Sequence, residues 1–282
     1  MVRVRADLHT HSSLSDGTDS PTELVRLSEE IGLGGVALTD HDTLDGLREF
    51  LDTDVSTDII RVPGVELSTE YEGKEAHVLG YFVPLESQSF LKKLKHLSDA
   101  RVVRLPKFLA KLQELGVEIS QEELDVALEG VKSPGRPHLA QLLVQKGFVK
   151  STGEAFDYYL SKESPAYVPK EKMQTLDAIK FLKSGGAIPV LAHPLTVKVD
   201  DLRSFLQTLV DAGLRGIEIE YDYSPMGIVN DLEKVRDAAR GFDLIHTGGS
   251  DYHGDKWMGS LGNPTVSLDI IEELQNAADT QA

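Results

Sequence analysis

Six of the nine histidines, His9, His11, His41, His77, His193 and His253, fall at or near the ends of segments that read as buried strands. Carboxylates share those places: Asp16, Asp40, Glu66, Glu218, Glu220 and Asp251. His9 and His11 are two apart in an extended segment, so the pleat sends both imidazoles to one side. Asp16 follows in Ser15-Asp16-Gly17-Thr18, a loop able to fold back toward them. A solitary His-x-His is ordinary surface decoration, whereas three such groups beside a turn are a metal-binding pattern. The chain has no cysteine, so the donors are nitrogen and oxygen only, which suits Mn²⁺, Fe²⁺ or Zn²⁺ and excludes thiolate sites. There are more donors than one tetrahedral ion uses, so two or three clustered cations are expected, Mn²⁺ ahead of Fe²⁺ or Zn²⁺.

Thr39-Asp40-His41-Asp42-Thr43 joins a buried strand to an expected helix, and Asp42 or Thr43 suits the N-cap of that helix. Asp40 at a buried strand end needs a partner, and orienting a ligating imidazole would supply one. Glu66 closes the apolar run Pro63-Gly64-Val65 and is a candidate for a carboxylate bridging two cations. His77 and His193 are weaker singly, since a lone histidine is more often a hydrogen-bonded structural residue. His193 gains from its place directly after Ile188-Pro189-Val190-Leu191-Ala192, and Gly249-Ser250-Asp251-Tyr252-His253-Gly254 repeats that arrangement after the last core strand.

Such groups act together only if the chain carries them to one place. The 282 residues are 40% apolar, enough for one large domain or one domain with a subdomain. Strands and helices alternate at both ends: a first strand through about Leu8, a helix from the Ser20-Pro21-Thr22-Glu23 capping box to about Ile31, and strands at Gly35 to Thr39, Ile59 to Glu66 and Glu75 to Phe82. From about Ser87 to Glu163 a helical period takes over, with Leu105, Phe108, Leu109 and Leu112 on one face. Alternation returns with a helix from Leu176 to Lys183 and strands at Ala187 to Ala192, Gly216 to Glu220 and Phe242 to Thr247. Helices from Asp201 to Ala212 and from Pro225 to Ala239 separate those strands. A short strand near Val266 and a helix from Ile270 complete the series. About seven strands suit an α/β barrel, whose C-terminal strand ends meet at one mouth. The expected division is a barrel of residues 1–86 and 164–282 and a helical insertion of residues 87–163 covering the active-site mouth.

Charge narrows the partners. With 29 Lys and Arg against 46 Asp and Glu, the net charge of −17 argues against long duplex nucleic acid but leaves small phosphorylated ligands or short strands. No apolar run approaches a membrane span, and a cytoplasmic location is expected.

The segments Asp7-Leu8-His9-Thr10-His11 through Asp16, Thr39-Asp40-His41-Asp42, Gly64-Val65-Glu66-Leu67-Ser68, His77-Val78-Leu79-Gly80-Tyr81-Phe82, Ala192-His193-Pro194 and Gly249 to Gly254 resemble, in that order, those of the polymerase and histidinol phosphatase (PHP) family. The resemblance implies a distorted (β/α)₇ barrel. It implies one cation on His9, His11, Glu66 and Asp251, a second on Asp16, His41 and His253, and a third on His77 and His193 with Glu66 bridging.

Clustered divalent cations suit phosphoester hydrolysis, with a hydroxide generated at the metals attacking phosphorus. In Ser133-Pro134-Gly135-Arg136-Pro137-His138, Arg136 and His138 open a helix, and a helix start with Arg is a phosphate seat. This segment resembles the Arg-Pro-His element of the branch acting on nucleotides and short RNA, where a basic residue follows a Tyr-Val-Pro stretch. Here that residue is Lys170. Members with this layout resemble enzymes that take the 3′-phosphate from nucleoside 3′,5′-bisphosphates, hydrolyse nucleoside monophosphates such as AMP, or trim short oligoribonucleotides from the 5′ end. The expected catalytic groups are Glu66, Asp40, His138 and His193, with Arg136, His138 and Lys170 on the substrate. Tyr158, Tyr159 and Tyr167 are candidates for the base, with packing favoured for at least two. Tyr221-Asp222-Tyr223 departs from the Asn or His often found in relatives and receives no role. Histidinol-phosphate phosphatase is the nearest alternative, a noncatalytic metal-binding regulatory module is one of another class, and a sugar-binding barrel is a third.

Overall fold

The computed structural model describes residues 4–254 and 259–280. Its first half holds β1 (Arg5–Asp7), α1 (Pro21–Glu30), β2 (Gly35–Leu38), α2 (Leu47–Asp52), β3 (Ile60–Tyr71) and β4 (Lys74–Tyr81). Four helices follow, α3 (Gln88–Glu114), α4 (Gln121–Ala127), α5 (Arg136–Gln145) and α6 (Thr152–Ala155), the last running into a π-helical turn at Phe156–Leu160. The second half holds β5 (Met173–Gln174), α7 (Thr175–Ser184), β6 (Ile188–Leu191), α8 (Leu202–Ala212), β7 (Gly216–Glu220), α9 (Leu232–Ala239), β8 (Ile245–Gly248), β9 (Val266–Ser267) and α10 (Asp269–Asp279).

The strands form a nearly closed, barrel-shaped sheet in the order β8-β7-β6-β4-β3-β2-β1-β9, with β5 attached to β3. Leu8 N–H donates to Gly248 O at 3.2 Å, bringing the first and last parallel strands together at the rim. Period-2 alternation fills the interior: Val62, Leu79, Tyr81, Ile188 and Val190 form one buried cluster with Ile271, Leu274 and Ala277 of α10, which plugs one end. The same alternation carries Glu66 on β3 and His77 on β4 toward the other end. A larger cluster packs the opposite faces of the strands against α1, α2, α7, α8 and α9.

α3 serves two cores. Phe90, Leu94 and Leu97 join the barrel cluster, whereas Leu105, Phe108, Leu109 and Leu112 join a separate cluster with Leu139, Leu143, Leu160 and Val168. Between these apolar stretches its Arg101 and Arg104 are buried, at 7% and 8% exposure.

Several expected boundaries move. Met1–Arg3 of the expected first strand lie outside the described residues. The helix expected from Pro225 begins at Leu232, because Gly227 takes a left-handed φ of 69° and Asp231 caps the first turn through Lys234 N–H. The seven expected strands are present and the short one near Val266 forms β9; the two-residue β5 is added, giving nine among the described residues. β3 runs five residues past Glu66 because β4 pairs with it antiparallel through to Tyr71 and Lys74. That reversed direction puts His77 near the start of its strand yet at the same rim as the C-terminal ends of the parallel strands.

Candidate metal centre

Three carboxylates and six imidazoles meet at this rim, and all but partly buried His77 are at most 8% exposed. His9 Nε2 lies 3.4 Å from Glu66 Oε2 and 3.3 Å from Asp251 Oδ1, and His11 Nε2 lies 3.2 Å from each of those oxygens. These four residues form one compact donor group. A second joins His11, Asp16, His41 and His253, with Asp16 oxygens 4.0, 3.8 and 3.4 Å from the three imidazoles in turn. A third joins His41, Glu66 and His77, with Glu66 oxygens 3.1 Å from His41 Nδ1 and 2.8 Å from His77 Nδ1. Within each group the donor atoms lie within 4.8 Å of one another.

The first two groups contain every residue the family resemblance implied for two cations, and His11 joins the second as well. The third is joined by His41, and His77 Nδ1 and His193 Nε2, the pair the resemblance implied there, both lie on Glu66 Oε1 at 2.8 and 3.0 Å.

A divalent cation fits this arrangement. His9 Nε2, both ring nitrogens of His11, His41 Nδ1, His77 Nε2, Asp16 Oδ1 and Asp251 Oδ1 are buried without a hydrogen-bond partner, although buried polar atoms are almost always paired. The electrostatics show the same demand for positive charge. Burial alone would raise Glu66, yet the imidazoles of His41, His77 and His9 hold it well below the usual carboxylate range. Burial opposes charge on His11, but Asp251 and Glu66 push it up to about 10. Burial dominates at His41, lowered to about 3.

Local sequence explains the convergence. The His9 to Asp16 loop turns tightly over Gly17, where a Cβ would stand 2.4 Å from His11 O. Gly249 lets the β8 end approach β1, since a Cβ there would stand 2.4 Å from His9 N. Buried carboxylates then brace the loops. Asp7 accepts from Ser250 N–H (2.9 Å), Ser250 Oγ (2.6 Å) and Gly262 N–H (2.8 Å), and burial raises it to about 6.

Asp40 corrects an expectation. Its carboxylate accepts from Ser12 N–H (2.7 Å), Ser12 Oγ (2.6 Å) and Ser15 Oγ (2.7 Å), so it shapes the ligand loop, and among the described residues it is hydrogen-bonded to no imidazole. The N-cap expected at Asp42 or Thr43 is also corrected, because α2 starts at Leu47. Asp42 instead takes a left-handed φ of 53° and accepts from Ser68 N–H (3.0 Å), Arg101 Nε (2.7 Å) and Lys170 Nζ (3.1 Å).

The substrate-side candidates gather next to the donor groups. Arg136, the first residue of α5, pairs with Glu75 at 3.3 Å, and Lys172 pairs with the same carboxylate at 2.9 Å. Burial lowers Lys170 to about 7, with Arg101 adding to the effect. Arg104 leaves Nη2 unpartnered and lies over the rings of Phe108 and Tyr167. In a chain of net charge −17, five cations therefore surround two carboxylates at one seam. His138 is buried within electrostatic reach of Asp16: its Nδ1 accepts from Gly135 N–H at 3.1 Å, capping its own helix, and burial lowers its pKa. Tyr159 and Tyr167 pack on the helical core, while Tyr158 is exposed.

Sequence reading missed Arg101, Arg104, Lys172 and Glu75. The first two sit on α3 like ordinary helix-surface cations, and only their burial distinguishes them.

The chain matches the PHP domain family over residues 7–125. A 5′-3′ exoribonuclease of Haemophilus influenzae is 31% identical to it over 274 residues, covering 95% of this chain and 96% of that protein. A 3′,5′-nucleoside bisphosphate phosphatase of Chromobacterium violaceum is 30% identical over 281 residues, with 95% and 96% covered. A crystal structure described as a candidate metal-dependent phosphoesterase from Bifidobacterium adolescentis superposes with a TM-score of 0.85 at 26% identity, covering 96% of each chain.

Proposed function

The chain belongs to the PHP family of metal-dependent phosphoesterases, and from that premise we propose that it hydrolyses phosphate esters of nucleotides: nucleoside 3′,5′-bisphosphates, AMP-like monophosphates and short single-stranded oligoribonucleotides. The observation that carries this reading is the adjacency of two charge systems. Three fused donor groups lie at the barrel rim, and the cationic seam of Arg101, Lys170, Arg136, Lys172 and Arg104 begins at their edge, where His77 approaches Glu75 at 3.7 Å. A substrate with one phosphate at the donor groups and another at the seam uses both. The activities for which the exoribonuclease and bisphosphate phosphatase relatives are named support nucleotides over histidinol phosphate.

His9, His11, Asp16, His41, Glu66, His77, His193, Asp251 and His253 would hold two or three divalent cations, Mn²⁺ first. Bound there, such cations polarise a phosphoryl oxygen, lower the pKa of water and neutralise charge in an in-line displacement. Glu66 touches four imidazoles within 3.2 Å and a fifth at 3.4 Å, and so fixes the spacing of the donor groups. Arg136 and Lys170 grip the remote phosphate, drawing on charge now shared with Glu75 and Asp42.

Residues 87–163 act in this reading as an insertion over the mouth of a barrel formed by 1–86 and 164–282. Lys132 and Ser133 N–H both donate to Leu14 O of the ligand loop at 2.9 Å, which supports that arrangement. A cytoplasmic location belongs to the same reading; among the described residues no helix is long and apolar enough to cross a membrane. The test is phosphate release from 3′,5′-bisphosphoadenosine, AMP, a 5′-phosphorylated short RNA and histidinol phosphate, each with Mn²⁺, Fe²⁺, Zn²⁺ and Mg²⁺. Nucleotide turnover that exceeds histidinol-phosphate turnover is expected. Inertness on all nucleotides, or preference for histidinol phosphate, overturns the reading.

A further inference from the structure

β7 contributes no residue to the three donor groups, yet it carries a fully buried carboxylate and a nearly buried phenol at their edge. Glu218 Oε1 lies 3.0 Å from His9 Nδ1, and its Oε2 accepts from His193 N–H at 2.7 Å. Tyr221, one residue past the strand, donates its hydroxyl to Asp251 Oδ2 at 2.7 Å. Both contacts end on the same donor group, that of His9, His11, Glu66 and Asp251.

The chemistry of each contact is directional. A carboxylate only accepts, so Glu218 requires the ring proton of His9 on Nδ1 and leaves the Nε2 lone pair aimed at Glu66 and Asp251. The phenol occupies one oxygen of Asp251 and leaves Oδ1, which has no hydrogen-bond partner, facing His9 and His11. A neutral donor does this without cancelling the negative charge that a cation would need. A lysine or arginine in its place would compete with the cation.

We propose that Glu218 and Tyr221 are positioning residues for the cation site of His9, His11, Glu66 and Asp251: Glu218 selects the ligating nitrogen of His9, and Tyr221 makes Asp251 a one-oxygen ligand. Among the described residues neither is hydrogen-bonded to the side chain of Asp16, His41 or His77, whereas Glu218 also holds His193 N–H beside the third group, so the first group responds to both changes and the second least. The inference rests on the metal reading of the centre and adds a site-by-site order to it.

The experiment is a Mn²⁺ titration of the chelator-stripped protein by calorimetry, with metal analysis after dialysis at stepped free Mn²⁺. Tyr221→Phe keeps the ring and its packing and removes only the hydroxyl. It is expected to weaken one equivalent by about 10- to 100-fold while the remaining equivalents bind as in wild type, with activity restored at raised Mn²⁺. Glu218→Gln is expected to weaken the same equivalent and to move the ring proton of His9 off Nδ1, read from the imidazole ¹⁵N shifts of the metal-free protein. Wild-type titrations in both variants overturn the inference, as does equal weakening of every equivalent. A wild-type chain that takes up no divalent cation overturns the metal reading itself and the inference with it.

Discussion

The sharpest quantitative prediction concerns the buried charge cluster that joins α3 to the barrel. Asp42 is 1% exposed and shares one oxygen, Oδ2, between Arg101 and Lys170. Asp42→Asn removes the only carboxylate paired with either cation among the described residues, and Asn tolerates the left-handed backbone of that position, so the change isolates charge. Breaking a buried pair from one side costs about 3–5 kcal/mol. Lys170 can shed its proton, since its pKa already stands at about 7, and this places the loss toward the lower end. Arg101→Met instead leaves Asp42 with Lys170 and Ser68 N–H, so the loss is one charge-assisted contact, about 1.5–3 kcal/mol. At roughly 2–4 °C per kcal/mol for a chain of about this size, the expected falls in Tm are about 10 °C and about 5 °C. Thermal unfolding should be followed in excess chelator, because any cation bound only by the folded chain adds its own stabilisation. If Asp42→Asn proves no more destabilising than Arg101→Met, the shared-carboxylate account is wrong.

Asp16→Ala and His41→Ala are each expected to abolish turnover, at least 100-fold in kcat, because each removes a donor from a group that no other described side chain completes; wild-type rates would refute the assignment. Arg136→Ala should raise KM for a 3′,5′-bisphosphate about tenfold or more, with little change for a monophosphate lacking the second group, and equal effects on both would place Arg136 elsewhere. Lys170 has a folded pKa near 7 against an ordinary 10.5, so the unfolded chain holds more protons between those values and this residue's contribution to stability rises with pH across that window. Accordingly the stability gap between wild type and Lys170→Met should shift in favour of wild type from pH 7 to 10, while wild-type KM for the bisphosphate climbs above about pH 7 and that of the variant stays flat. A gap and KM constant with pH would contradict a depressed Lys170.

The donor types at the rim were legible in the sequence because strand alternation and the His-x-His spacing are local. His9, His11, Asp16, His41, Glu66, Asp251 and His253 required only that strand ends share a rim, and period-2 alternation with strand-helix order implied a barrel. Local signals could not give the direction of β4, which brings His77 in from the start of its strand. Partners far apart in sequence were equally hidden. Asp40 was expected to orient an imidazole and instead holds two serines, while Glu218, 209 residues from His9, takes that role. The cationic seam is the clearest case. Arg101 and Arg104 carry the spacing of an ordinary solvated helix face, and only packing α3 between two cores removes them from water and turns them toward Asp42 and Val168. Residue type and periodicity fix which groups can ligate and which face is buried; burial and long-range pairing, which decide what each group touches and which charges must balance, exist only once the chain has folded.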